Sequence, residues 1–140
     1  MGQARPKVVA KGKARPRSLV LDSGALIAFE RADARMRALL REALDTGARV
    51  IIPAGVLGQV WRDPAKQVAL GALSKASTTM VPSLDQVLAE AVGVLCGKRK
   101  TSDVVDASVV LTARREGAPI VTSDIDDLRH LDDAIVLHRI

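Results

Sequence analysis

Aromatic side chains are nearly absent from this 140-residue chain: it has Phe29, Trp61 and no tyrosine. Hydrophobic residues still make up 48% of it, and 21 of them are alanine, so a core must come from closely packed aliphatic elements. An aromatic-lined sandwich and a disordered chain are both excluded on that composition. Cysteine is scarcer still, and Cys96 alone cannot form a disulfide within the chain. With only two histidines there is no Cys/His cluster at zinc-binding spacing, and stability has to come from burial. Apolar runs stay well short of the roughly 20 residues a membrane span needs, and no apolar signal core follows the basic N-terminal residues. The expectation is a soluble, cytoplasmic protein without a membrane partner. Glutamate is also rare, with four against twelve aspartates, and seven of the twelve lie within residues 101–140 although aspartate is the poorer helix former.

The length fits one compact domain plus a tail. Residues 1–17 contain Arg5, Lys7, Lys11, Lys13, Arg15 and Arg17 and no acid, whereas residues 18–140 hold 15 basic and 16 acidic side chains. The pI of about 9.9 therefore describes a basic, flexible tail over 1–17 attached to a nearly neutral domain over 18–140. Such a tail is either an arm for nucleic acid or a solvated leader, or it marks a misassigned start.

Along the domain, short apolar runs alternate with helical patterns. SLVLD at 18–22 suits a buried strand and turns through Gly24 into a helix. Met36, Leu39, Leu40, Ala43 and Leu44 recur at helical spacing until Gly47. RVII at 49–52 is a second strand, and Pro53 opens a helix that reaches to the residue before Pro64. A helix over about 65–76 and a weak strand at 78–81 follow. Ser83 with Gln86 resembles a capping box for a helix through Leu95, closed by Gly97 and the run Lys98, Arg99, Lys100. A helix over about 102–116 ends at Gly117, APIVTSD at 118–124 is a strand, and AIVLH at 134–138 is the last one. This alternation predicts an α/β fold: a three-layer α/β/α sandwich around a mainly parallel sheet, with ligands at the carboxyl ends of strands.

The aspartates fall where such a fold concentrates chemistry. Asp22 ends an apolar strand, where an unpaired carboxylate costs several kcal/mol unless a partner, a metal or a helix cap neutralises it. Asp106 shares a helical face with Val109, Val110 and Ala113, so burying that face carries the acid inward, as a ligand or in an ion pair. Asp124 ends a strand and also suits an N-cap for IDDLRHL, with Asp126 and Asp127 favoured in the first turn by the helix dipole. Asp103 can share the face of Asp106 or cap its helix. Two strand-end aspartates and an inward helical one can converge at one sheet edge, where all-oxygen ligands favour Mg²⁺ or Mn²⁺ over zinc.

Three segments, LVLDSGALIAFE, IPAGVLGQV and DASVVLTARREGAPIVTSD, resemble the PIN-domain ribonucleases, particularly the VapC-type toxins of bacterial toxin–antitoxin pairs. The likeness covers roughly residues 18–140. It implies a metal-dependent endoribonuclease that hydrolyses RNA with Mg²⁺ or Mn²⁺, a cognate antitoxin that neutralises it, and a homodimer. On that resemblance Asp22, Asp106 and Asp124 are the metal-binding and catalytic acids, and Thr122 orients a carboxylate or a water from behind them. One departure stands out: the resemblance places a glutamate six residues beyond Pro53, where this chain has Gln59, an amide that can coordinate through oxygen but carries no charge and cannot act as a base. Asp103, or failing that Asp63, is the candidate to supply the missing charge.

Lys98, Arg99 and Lys100 precede the acidic helix and can either hold an RNA backbone or simply complement a helix C-terminus. Trp61 reads as packing or a dimer or antitoxin contact rather than a base-stacking platform, and Cys96 as a small buried apolar residue. His130 and His138 sit on a surface helix and a final strand and are given no catalytic part. The alternatives to a nuclease are a degenerate PIN domain that binds RNA or a protein without cleaving, which Gln59 favours, and a receiver-like phospho-acceptor domain, which lacks the expected lysine after APIVTSD.

Overall fold

A computed structural model describes residues 17–140; apart from Arg17, the basic tail lies outside the described residues. Twelve elements follow one another: β1 (Ser18–Leu21), α1 (Ser23–Glu30), α2 (Ala34–Thr46), β2 (Arg49–Ile51), α3 (Ala54–Val60), α4 (Val68–Ser74), β3 (Thr79–Met80), α5 (Gln86–Arg99), α6 (Val104–Glu116), β4 (Ile120–Thr122), α7 (Ile125–Leu131) and β5 (Leu137–Arg139). The five strands form one sheet in the order β3-β2-β1-β4-β5, and every pairing is parallel. The expected three-layer α/β/α sandwich is present, with a wholly rather than mainly parallel sheet. Among the described residues no helix is long and apolar enough to cross a membrane.

The strand order dictates where a site can lie. From β1 the chain winds outward through β2 to β3, then returns to the other side of β1 for β4 and β5. The direction of winding reverses between β1 and β4, and the crevice beyond their carboxyl ends is left open by the crossover helices. Asp22 and Asp124 follow those two strands.

The core is aliphatic, as the composition requires. Val20, Leu21, Ile51, Ile120 and Val121 from the sheet are fully buried with Leu26, Met36, Leu70, Val110 and Leu128 from the helices. Helix α6 is the most enclosed, with Ala107, Ser108, Val109, Val110, Thr112 and Ala113 all buried. Phe29 and Trp61 stand only at its margin. A Cβ at Gly71 would sit 3.4 Å from the Trp61 ring, so the indole packs on a face of α4 that lacks a side chain there. Cys96 is buried, its Sγ 3.8 Å from the Asp103 carbonyl.

Several boundaries differ from the sequence expectation for identifiable reasons. Helix α3 ends at Val60 because the Gln67 side chain takes over the next donors: its Oε1 accepts the N–H groups of Arg62 at 2.7 Å and Asp63 at 2.9 Å. Helix α4 starts only at Val68, since the Asp63 carbonyl accepts the N–H groups of Lys66 and Gln67 in a preceding turn. The cap of α5 is Asp85, which accepts the Leu88 N–H at 2.9 Å, and not Ser83. The Pro82 carbonyl accepts the Ala54 N–H at 3.0 Å, which ties the segment before α5 to the start of α3 and keeps it out of the helix. Gly47 and Gly117 end α2 and α6 with φ of 75° and 63°, the left-handed conformation a residue without Cβ adopts at least cost.

Candidate metal centre

Asp22 is 4% exposed at the carboxyl end of β1 and is also the N-cap of α1: its Oδ1 accepts the Ala25 N–H at 2.9 Å. The capping and functional readings of this residue are therefore compatible. Across the crevice, Thr122 closes β4 fully buried, with its Oγ1 accepting the Asp124 N–H at 2.7 Å and its hydroxyl near enough to Asp22 to favour the ionised carboxylate. One hydroxyl thus lies between the acids that follow β1 and β4. A Cβ on Gly24 would overlap the Ser123 Oγ, so the two strand-end turns pack against each other through the missing side chain.

Helix α6 begins beneath these turns. Asp103 is its N-cap and accepts the Asp106 N–H at 2.9 Å, while Asp106 stands half-buried in the first turn. Asp124 occupies the N-cap position of α7, yet its side chain makes no capping hydrogen bond. Freed from that role, it joins Asp106 and Asp127, and one carboxylate oxygen from each lies within 4.8 Å of the other two.

Among the described residues no basic side chain pairs with these charges. The ion pairs among the described residues are Arg114–Asp132 and Arg115–Glu116, neither of which involves these acids. Burial first, then the negative charge of Asp103 and its hydrogen bond, then the charges of Asp22 and Asp124, push the Asp106 carboxyl up to about 7. Burial and the neighbouring Asp127 carboxyl raise Asp124, and burial raises Asp22 despite the Thr122 hydroxyl and the Ala25 N–H, which favour its ionised form. Carboxylates that resist ionising together for want of a cation are a fitting donor set for a hard divalent ion.

The sequence-predicted residues divide accordingly. Asp106 and Asp124 meet directly, with Asp22 close enough behind them that its charge raises both. Asp103 adjoins through Asp106, and Thr122 lies between Asp22 and Asp124. Gln59 is exposed near the end of α3 and, among the described residues, forms no hydrogen bond with these acids. Asp63 serves the α3–α4 turn, accepting the Ala65 N–H at 3.0 Å. The third member of the oxygen cluster is Asp127, which sequence reasoning had assigned to the dipole of α7; its spacing of three from Asp124 was the available signal.

His130, given no catalytic part on sequence grounds, lies close by. It lines a small cleft of about 140 Å³ with Thr101, Asp103, Asp106, Asp127 and Leu131, and its Nε2 lies 2.6 Å from the Arg99 carbonyl. The imidazole thereby links α7 to the end of α5, where Lys98, Arg99 and Lys100 are exposed. His138, by contrast, lies on β5 beside a shallow cavity with Arg17 and Ser18, which precede the rest of β1 at the opposite end of the sheet.

Comparison with known proteins accords with this layout. The model of the PIN domain matches residues 19–134. Among solved structures, the crystal structure of VapBC2 from Rickettsia felis bound to a DNA fragment from its promoter is similar, with a TM-score of 0.68, 15% identity and coverage of 88% of this chain and 98% of that one. FitAB bound to an IR36 DNA fragment gives 0.60 at 15% identity, covering 86% and 94%. FitAcB from Neisseria gonorrhoeae gives 0.57 at 14%, covering 85% and 95%. At these identities the likeness is one of fold. No curated protein matches.

Proposed function

Because the chain belongs to the PIN-domain family, we propose that it is a metal-dependent endoribonuclease, the toxin of a toxin–antitoxin pair that a cognate antitoxin protein holds inactive. The observation that carries this reading is the meeting of Asp106, Asp124 and Asp127, with Asp22 behind them, at the crevice where the sheet topology reverses and with no salt bridge to any of them among the described residues. Structures of VapBC2 and FitAB, which resemble this chain in fold, support the antitoxin part of the proposal. The homodimer belongs to the same proposal, and Val87 and Val94, 79% and 60% exposed on α5, give it an apolar surface to use.

Asp106, Asp124 and Asp127 would hold Mg²⁺ or Mn²⁺, with Asp22 adding charge from behind. When bound, such an ion supplies Lewis-acid stabilisation of phosphoryl charge and acidifies a coordinated water. The remaining work falls to the chain itself. Thr122 fixes the Asp124 backbone beside Asp22, and Asp103 fixes the first turn of α6 and hence Asp106. With Asp106 held near neutrality, the site becomes fully anionic only as the pH rises past 7 or a cation arrives. No histidine is needed for this chemistry.

The test is cleavage of a panel of RNAs by purified, antitoxin-free protein with Mg²⁺ or Mn²⁺, beside EDTA and an Asp22→Asn/Asp106→Asn variant. Defined fragments that vanish in both controls are expected. A second reading, a PIN domain that binds RNA or a protein without cleaving, is favoured by the uncharged, exposed Gln59; metal binding without fragments from any RNA would select it.

A further inference from the structure

An anionic site repels the RNA phosphates it is read to cleave, unless cations beside it hold the backbone in place. Lys98–Lys100 stand on the α5 flank. On the α1 flank lies a groove of about 450 Å³, within the size range of small-ligand sites, lined by Gly24, Ile27, Ala28, Arg31, Arg35 and Ser123 among others. A Cβ on Gly24 would lie 3.5 Å from the Asp22 Oδ1, and Ser123 directly precedes Asp124, so this groove runs beside the turns that carry two of the acids.

Its charges are available. Arg31 ends α1 and Arg35 stands in the first turn of α2; both are exposed, and neither forms a salt bridge among the described residues. Asp33 also lines the groove, its Oδ1 accepting the Met36 N–H at 2.9 Å as the cap of α2, and its charge leaves the lining side chains one net positive. Ile27, 40% exposed, and Ala28 add an apolar wall against which a base can lie. Two guanidinium forks, each offering paired donors, match phosphate oxygens in geometry as well as charge.

We propose that the Arg31/Arg35 groove is an RNA-backbone subsite that holds the strand beside the phosphate presented to the aspartates. The proposal rests on the RNA reading of the acid cluster and adds to it a second flank, so that the strand crosses the acidic edge between Lys98–Lys100 and the two arginines. The two guanidinium groups beside the turns that carry Asp22 and Asp124 favour RNA over a protein segment as the occupant.

The experiment measures binding of a single-stranded RNA oligonucleotide to the full chain carrying Asp106→Asn, across a salt series and in EDTA, which withholds the metal that cleavage needs. Adding Arg31→Ala and Arg35→Ala is expected to weaken binding by about tenfold and to flatten the salt dependence by about one to two in slope. The Arg31→Lys/Arg35→Lys variant should retain most of the salt slope, and Arg37→Ala/Arg41→Ala, on the same helix but outside the groove, should match the parent. Equal affinity and slope in parent and Arg31→Ala/Arg35→Ala overturn the subsite, as does an equal loss in the Arg37/Arg41 control or a parent that binds no oligonucleotide. Loss of poly-glutamate binding with RNA binding intact would instead assign the groove to an acidic protein segment and also overturn it. Cleavage plays no part in this measurement, so the nuclease reading and the subsite fail independently.

Discussion

The Asp103 Oδ1 accepts the backbone N–H of Asp106 at 2.9 Å, so one acid of the site caps the helix that carries another. The same contact that orients Asp106 also brings a negative charge against it, and capping and electrostatic tuning become one interaction. Asp103→Asn keeps a capping oxygen and removes the charge, so the Asp106 carboxyl is expected to fall from about 7 toward the ordinary range. Asp103→Ala also loses the cap, at a cost of about 1 kcal/mol in stability. A carboxyl-carbon NMR titration checks the first and a denaturant melt the second; an unmoved Asp106 titration in Asp103→Asn would refute the coupling.

Stability of the metal-free protein should decline as pH rises from about 4 to about 7. Asp106 titrates near 3.8 when unfolded and near 7 when folded, so over that window the folded state binds more protons and each increment of pH favours unfolding. Asp22 and Asp124, raised in the same direction, add to the trend. Mn²⁺ should reverse it at the alkaline end by binding the ionised acids. Thermal melts in EDTA against pH give the readout, and a melting temperature that climbs across the window contradicts this account.

Removing single charges should separate function from folding. Asp106→Asn and Asp127→Asn are each expected to weaken Mn²⁺ binding by at least about tenfold and to abolish RNA cleavage. In EDTA above neutral pH, Asp106→Asn should melt no lower than the parent, because it removes a charge that burial and its neighbours disfavour. Calorimetric titration with Mn²⁺ and melts of the same samples decide this; full metal affinity in Asp127→Asn removes that residue from the site.

Gln59→Glu restores an acid where the family resemblance places one. The position is exposed, so the fold should tolerate it, and the added charge should tighten Mg²⁺ binding several-fold, about 1 kcal/mol or less at a solvated site. Unchanged affinity would make the aspartates the complete anionic set.

Lys100 tests a trade between stability and binding. It adopts φ 57° and ψ 50°, the left-handed region, at the end of α5 beside the acids. Lys100→Gly should relieve the backbone and stabilise the fold by roughly 0.5–1 kcal/mol, while removing one cation should weaken oligonucleotide binding and lower the salt slope by about one. A destabilised variant would show that the lysine side chain outweighs the strain.

Most of the fold was readable because its signals are local. Leu19, Val20 and Leu21 announce a buried strand, and Gly47 and Gly117 stop helices whose apolar periodicity precedes them. Element boundaries were less readable where distant groups intervened: the Gln67 amide ends α3, and the Pro82 carbonyl, bonded to Ala54, moves the cap of α5 from Ser83 to Asp85. No local pattern contains those partners.

The sequence by itself determined that aspartates would stand at the ends of β1 and β4 and inside the first turn of α6, because apolar strands and an amphipathic helix fix where their polar neighbours fall. It determined the aliphatic core in the same way, through composition and period. Only the tertiary structure decided which carboxylates share a volume: Asp127 with Asp106 and Asp124 through the packing of α7 on α6, His130 at the rim of that cleft, and Gln59 exposed on α3. Spacing along a chain sets the face on which a residue lies, whereas convergence depends on how separate elements cross, and that is set by the packing of the whole core.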